Sequence, residues 1–473
     1  MSESHQTQPI DPDSAARLAA DGLRFELLAP EDEAVAPWMD AVNRGFHEPR
    51  PKPEFIEARR YQSPHRRIAG VWDDTLQDAA APVATASSWP TELTVPGGRS
   101  VTAWAISTIT VSPTHRRRGI ASAMLEAELR TALALGAPVA ILTASEATIY
   151  RRWGFAPAAM TATWTIDTSR SAWTGPRASG RVQYVTSEQL LVDGLEIVER
   201  ARLGTPGLIG FDGQLWERLL GIGDEKEERR ARFLRYDDAA GVAQAFAIYT
   251  VAREETHSGD AIVEVLYAAA VTDEAYAAIW RFLFELDLVG EVRAPLRPVA
   301  EPFAWQIRDG RAAVKSKERD HLWARILDVP AALQARTYSA AGRVVFDVTD
   351  ALGFAAGRWL LEVDDAGLGR VTRLGEAGAE SLASAGGASG IAGAGGSGGA
   401  AVVAGAGAEG AAGAGGAAVI ALGVNELSAI YLGGVPAGLL ARAGSISELT
   451  DGAANAVEAM FRSPVTPWLS IWF

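Results

Sequence analysis

Cysteine is absent from the 473 residues. That excludes disulfides, zinc–thiolate sites and cysteine nucleophiles, and it suits a cytoplasmic protein. Positive charge is in deficit: 44 Lys and Arg face 58 Asp and Glu, a formal net charge of −14. This balance argues against a nucleic-acid partner and favours cationic ones such as amines. Met1 to Ala20 is polar, without a basic stretch leading into an apolar core, so no secretion signal is expected. Charge is nearly missing from Gly375 to about Gly423, which is almost all Gly, Ala, Ser and Val. The tract reads as a flexible insertion between two strands. A membrane span is the rival reading, and glycine argues against it as a poor helix former that adds little apolar burial.

What is present points to roughly two to four α/β domains. The chain is organised around Ile109 to Leu125. Ile109, Thr110 and Val111 are β-branched and predict a strand, which Pro113 stops because it has no N–H to donate. Ile120, Met124, Leu125, Leu129 and Leu133 then recur at helical spacing. Between strand and helix lies the turn Arg116-Arg117-Arg118-Gly119. Free N–H groups at the helix start favour anions, arginines add charge for phosphate, and glycine lets a ligand approach the backbone. In physical terms this is a pyrophosphate cradle.

Ahead of the cradle the sequence predicts a mobile leader over residues 1–22 and a strand from Leu23 to Leu28. A helix opening at Pro30 carries Trp38, Met39, Val42 and Phe46. Strands follow at Arg67–Trp72, Val83–Trp89 and Val101–Val111. Behind the cradle come a helix ending at Gly136, a strand from Val139 to Leu142, and a short helix carrying Tyr150 and ending at Gly154. A second α/β unit holds strands near 181–185, 232–236, 243–252 and 261–271 and a helix from Asp273 through Leu286, with Thr272 or Asp273 as its cap. The third region opens at His321 and contains a hairpin, Val344–Val348 with Trp359–Val363, and a helix over Ala453–Phe461.

The stretch Arg116-Arg117-Arg118-Gly119-Ile120-Ala121 resembles the acetyl-CoA motif of GNAT N-acetyltransferases. With Val111-Ser112-Pro113-Thr114-His115 before it, and Ala144-Ser145-Glu146…Ile149-Tyr150…Gly154-Phe155 after it, the chain resembles the actinobacterial Eis family. Leu322-Trp323-Ala324-Arg325-Ile326 and Tyr431-Leu432-Gly433 resemble that family's sterol-carrier-like C-terminal domain. The resemblance implies an α/β (α+β) chain: a catalytic GNAT domain (23–165), a degenerate GNAT-like domain (166–315) and a sterol-carrier-protein-like domain (316–473). It also implies a cytoplasmic homohexamer.

The implied activity is transfer of acetyl from acetyl-CoA to an amine of polyamine, aminoglycoside-like or lysine type, without a metal. Cofactor contacts would come from Ile109, Thr110, Val111, Arg116, Arg117, Arg118, Gly119, Ile120, Ala121, Ser122, Ser145 and Glu146. Tyr150 is the candidate acid, because a phenol of pKa about 10 can protonate a thiolate whose acid lies near about 8.5. His47 and His115 are weak candidates for the base. In the family the base is the terminal carboxylate, here that of Phe473, and burial of the apolar tail would raise its pKa. Glu48 is the expected acid for a cationic substrate, with Asp40 as its alternative, and Trp472 forms an aromatic wall. The competing class is a non-catalytic scaffold that binds acyl-CoA or lipid.

Overall fold

The computed structural model describes residues 4–473 apart from 52, 54–55, 58–64, 212, 223–229, 254–260 and 376–415. The first third of the chain forms β1 (Arg24–Leu28), β2 (Arg67–Trp72), β3 (Ala84–Val95), β4 (Arg99–Val111), β5 (Val139–Thr143) and β6 (Ala156–Asp167). The middle contributes β7 (Arg181–Tyr184), β8 (Ala231–Asp237), β9 (Ala243–Arg253), β10 (Ala261–Ala270), β11 (Val289–Arg297) and β12 (Ala313–Ile326). All of these join one 12-stranded sheet, in the order β1-β2-β3-β4-β5-β12-β6-β11-β10-β9-β8-β7.

That order is a strand exchange. β12 lies antiparallel between β5 and β6, and β6 in turn pairs with β11. Each half of the sheet therefore holds a strand from the other half of the sequence. This corrects the expected opening of the third region: His321–Ile326 is the buried end of β12, within the shared sheet. A boundary at 315/316 cuts that strand near its start. The remaining five strands, β13 (Gly342–Thr349), β14 (Gly357–Val363), β15 (Gly369–Leu374), β16 (Ala418–Gly423) and β17 (Ile446–Glu448), form a second sheet.

The N-terminal residues are also corrected. Ser4–Thr7 (α1) and Pro12–Ala20 (α2) are helical and docked, not a mobile leader. Asp11 caps α2 by accepting from Ser14 N at 2.9 Å, and Leu18 is buried. The buried Arg67 guanidinium donates to the carbonyls of His5, Gln6 and Gln8 and pairs with buried Glu128 at 3.4 Å, so the cation of strand β2 draws this segment around it. The helix expected from Pro30 starts at Val35 instead and ends at Gly45 (α3). This places Pro37 in the first turn, where its missing N–H costs nothing.

After the cradle, Ile120–Ala134 forms α4, and Ala147–Tyr150 forms α5. In the second half of the sheet Ser187–Arg202 (α6) and Asp273–Phe284 (α7) cover its faces. The C-terminal domain adds Val424–Ile430 (α8) and Ala453–Phe461 (α9). β13 and β14 pair as the expected antiparallel hairpin. The expected insertion is shortened at its end: Ala418–Gly423 is β16, paired with β13 and carrying buried Val419, Ile420 and Leu422. Most of the tract lies outside the described residues. Among the described residues no helix is long and apolar enough to cross a membrane.

Candidate active site

β4 and β5 run parallel, but only Ala103–Ala105 pairs with Val139–Ile141. Beyond Ala105 the two strands part. β4 is also bulged there: its register against β3 shifts between Thr85 and Ser87, and Thr108 takes φ +52°. Two side chains of β3 hold the bulge. Thr85 Oγ1 donates to Thr108 O at 2.8 Å, and Thr108 Oγ1 donates to Ser87 Oγ at 2.9 Å. Thr85 Oγ1 also lies 2.7 Å from Thr110 Oγ1.

The wedge opens into a cavity of about 220 Å³ lined from β4 by Ile106, Ser107, Thr108 and Ile109 and from β5 by Leu142 and Thr143. Ser145, Tyr150, Phe46, Trp472 and Phe473 complete its lining. The structure thus brings Tyr150, Ser145, Ile109, Trp472 and Phe473 into one pocket.

Tyr150 closes α5 and is 7 % exposed. Its hydroxyl is hydrogen-bonded to the Ser145 side chain. Burial raises its pKa above the usual phenol range, Glu146 adds to this, and the Ser145 bond opposes it. The phenol is therefore held as an acid. A short turn, Arg151–Trp153, follows and ends at Gly154 with φ +85°. A Cβ there would lie 2.8 Å from Val424 Cγ1 and 3.0 Å from Arg325 Nε, so only glycine fits.

Phe473 reaches the pocket along an extended tail. Trp468 anchors that tail, donating Nε1–H to Leu296 O at 2.6 Å beneath the Arg297 guanidinium, which lies 4.5 Å from its ring. His321 Nε2 donates to Ile471 O at 2.8 Å. Thr143 Oγ1 donates to Phe473 O at 3.0 Å, and the Phe473 ring packs edge-on to Trp89 at 5.6 Å. Thr143 and His321, which hold the tail at the pocket, are contacts that sequence reasoning missed. A hydroxyl ending the apolar strand β5 is the one local signal for the first, and nothing local announces the second.

The cradle follows β4. Gly119 caps α4 at φ +73° with no side-chain cap, and a Cβ placed on it would meet nothing within 4 Å. Helix-start N–H groups and open space beside a glycine fit the phosphate end of acetyl-CoA. Ile120 is in the core, so its contribution there is its backbone, and Ala121 and Ser122 are half-buried behind it. Arg116 and Arg117 are exposed. Arg118 is tethered instead, donating to Asp21 O at 2.8 Å and lying 3.6 Å from Asp73. His115 is buried as a brace: Nε2 donates to Asp73 Oδ2 at 3.1 Å, and Nδ1 accepts from Thr114 Oγ1 at 2.8 Å. The Thr75 and His115 hydrogen bonds hold the Asp73 carboxyl down at about 2.

The remaining residues lie apart. Val111 is half-buried, and Glu146 is exposed beside the pocket. Glu48 and His47 are exposed and do not line the cavity, and Asp40 pairs with Arg50 at 3.2 Å. The second half of the sheet repeats the wedge, since β10 and β11 pair in parallel only from Ala261 to Glu264. Its helix α7, however, is capped by Thr272 and opens with Asp273 and Glu274. Those carboxylates repel phosphate, so this half lacks an equivalent cradle.

Comparisons with known proteins show the family. Residues 28–158 and 207–326 each match the family description "Acetyltransferase (GNAT) domain", and 329–387 with 397–470 match "Sterol carrier protein domain". An uncharacterized N-acetyltransferase of Streptomyces avermitilis is 32% identical over 446 residues, covering 92% of this chain and 95% of that one. N-acetyltransferase Eis of Mycobacterium tuberculosis is 32% identical over 305 residues, covering 61% of this chain and 72% of that one. The crystal structure of Eis1 from Mycobacterium abscessus superposes with TM-score 0.73 at 27% identity, over 95% of this chain and 100% of that one. The chain is thus an acetyltransferase built from two GNAT domains and a sterol-carrier-type domain. It belongs to the Eis family of GNAT N-acetyltransferases.

Proposed function

We propose that the enzyme transfers acetyl from acetyl-CoA directly to an amine, with Tyr150 as general acid and the Phe473 carboxylate as general base. The observation that carries this reading is their common pocket, in the wedge between β4 and β5. Acetyl-CoA supplies the thioester. Its phosphates would rest on the α4 N-terminus at Gly119 to Ser122, with charge from Arg116 and Arg117; Arg118 would act mainly through its tether. The β4 edge at Ile109 to Val111 would hold the pantetheine arm, with Ser145 and Glu146 bordering it. Backbone N–H groups of β4, left without β5 as partner, can stabilise charge on the carbonyl oxygen. Phe473 would take the ammonium proton, and Tyr150 would give one to the departing sulfur.

The acceptor in this reading is a polyamine, an aminoglycoside-like amine or a lysine side chain. Phe46 and Trp472 supply aromatic walls for its carbon skeleton, and Glu48, two residues beyond Phe46, would engage only the outer part of a longer cation. The net charge of −14 favours such cations. A cytoplasmic homo-oligomer, hexameric by the family resemblance, belongs to the same reading.

The test is free-thiol release from acetyl-CoA with a panel of those three amine types. Native protein is compared with Tyr150→Phe and with a chain extended past Phe473. Turnover is expected with at least one amine, falling roughly 100-fold or more in both altered proteins while acetyl-CoA binding holds. Undiminished turnover in the extended chain removes Phe473 as the base. Tight acetyl-CoA binding with no turnover on any amine turns the reading to the scaffold.

A further inference from the structure

We propose that His321 is the positioning residue of the terminal carboxylate, locking the tail so that Phe473 presents its carboxylate to the acceptor amine. This rests on the reading of Phe473 as general base. His321 is fully buried on β12. A carbonyl oxygen only accepts, so the 2.8 Å contact from His321 Nε2 to Ile471 O requires a proton on Nε2. Nδ1 is also buried and has no hydrogen-bond partner among the described residues. The side chain is thus committed to one bond, and that bond goes to a peptide two residues before Phe473.

A second grip comes from the neighbouring strand. Leu322, next to His321, is registered directly against Thr143 of β5. Thr143 is the residue that donates to Phe473 O. The tail is therefore pinned by two adjacent strands, one each side of Trp472: at the Ile471 carbonyl by His321 and at an oxygen of the terminal Phe473 carboxylate by Thr143. The Trp472 ring is fixed between them, edge-on to His321 at 4.4 Å and with the Arg319 guanidinium 5.1 Å from it. Without the Ile471 bond, only Thr143 and ring packing would orient the last peptide, and a general base loses rate steeply with small misplacement.

The pair His321→Gln and His321→Asn tests this in the full chain. A glutamine amide reaches about as far as imidazole Nε2, whereas an asparagine amide stops near Nδ1; the two are otherwise alike in polarity. H321N is expected to lower kcat roughly 10- to 100-fold. Its KM for acetyl-CoA should stay within about twofold, because the cradle lies on other elements. H321Q is expected to recover most of the lost rate. In a chain lacking Phe473, H321N is expected to cost nothing further. Equal kcat in H321N and H321Q overturns the proposal, as does a loss that persists undiminished without Phe473. Deleting Phe473 without loss of turnover instead overturns the base assignment beneath it. Should H321N fail to fold, carboxypeptidase release of Phe473 from H321Q and from native protein replaces the kinetic comparison. Matched rates are expected, and release from H321Q as fast as from a denatured chain overturns the proposal.

Discussion

A group that protonates a departing thiolate must hold its own proton until then, and Tyr150 does so through burial and the nearby Glu146 carboxylate. Its candidacy was legible because the family resemblance is carried by Ser145, Glu146 and Gly154 around it. Thr143 and His321 were not legible, since each acquires its proposed role only from its bond to the tail, which is remote in sequence and brought in by the fold. His321 also carries a pH signature. Its pKa is lowered from the ordinary 6.5 to about 4: burial is the main cause, the Ile471 carbonyl opposes it, Arg319 adds to it and Asp320 opposes it. Between those values the unfolded chain binds a proton that the folded chain refuses. Stability from this group is therefore complete above pH 6.5 and is lost as pH falls towards 4, by at most about 3 kcal/mol. Melting curves of native protein and H321Q at pH 7 and pH 5 should show a steeper acid loss in the native protein. Parallel loss would show that His321 does not titrate in this way.

At the scale of elements, β4 and α4 make the site by what they leave unmade. The β-branched run of β4 and the apolar spacing of α4 announce both elements in the sequence. The bulge does not announce itself, because threonine is a poor candidate for φ +52° and is held there only by Thr85 and Ser87 from β3. The cradle glycine can be tested against a twin. Gly119 and Gly136 flank the two ends of α4, at φ +73° and +77°, and a Cβ at either would meet nothing within 4 Å. Alanine at each should cost a similar strain, about 1–2 kcal/mol. Only at Gly119 does the new methyl stand where phosphate is proposed to rest. Titration calorimetry should show G119A binding acetyl-CoA at least about tenfold more weakly than G136A. Equal affinity would move the phosphates away from Gly119.

Across the whole molecule, family and fold class were legible because their motifs are contiguous in the sequence. The strand exchange was not, since no local pattern tells β12 to enter between β5 and β6. Arg325 shows what the exchange does for the active site. It is fully buried on β12 and donates Nε–H to Trp153 O at 2.9 Å, in the turn that follows Tyr150. Its Nη2 donates to Asp350 Oδ1 and Oδ2 at 2.8 and 2.9 Å, in the C-terminal domain. One cation thus joins the turn behind the proposed acid, the shared sheet and the third domain. Replacing Arg325 by leucine would leave Asp350 buried with only the Leu352 and Ala355 N–H groups as partners. Breaking such a pair from one side costs about 3–5 kcal/mol, whereas removing both charges is often much milder. Denaturant unfolding should therefore show R325L as the least stable protein and R325L/D350L as substantially recovered. Turnover should separate from stability: both variants lose the tie to Trp153 O, so kcat should stay depressed in the double variant while its stability returns. If kcat recovers together with stability, Arg325 serves only the assembly of the domains and the Tyr150 turn needs no support from β12.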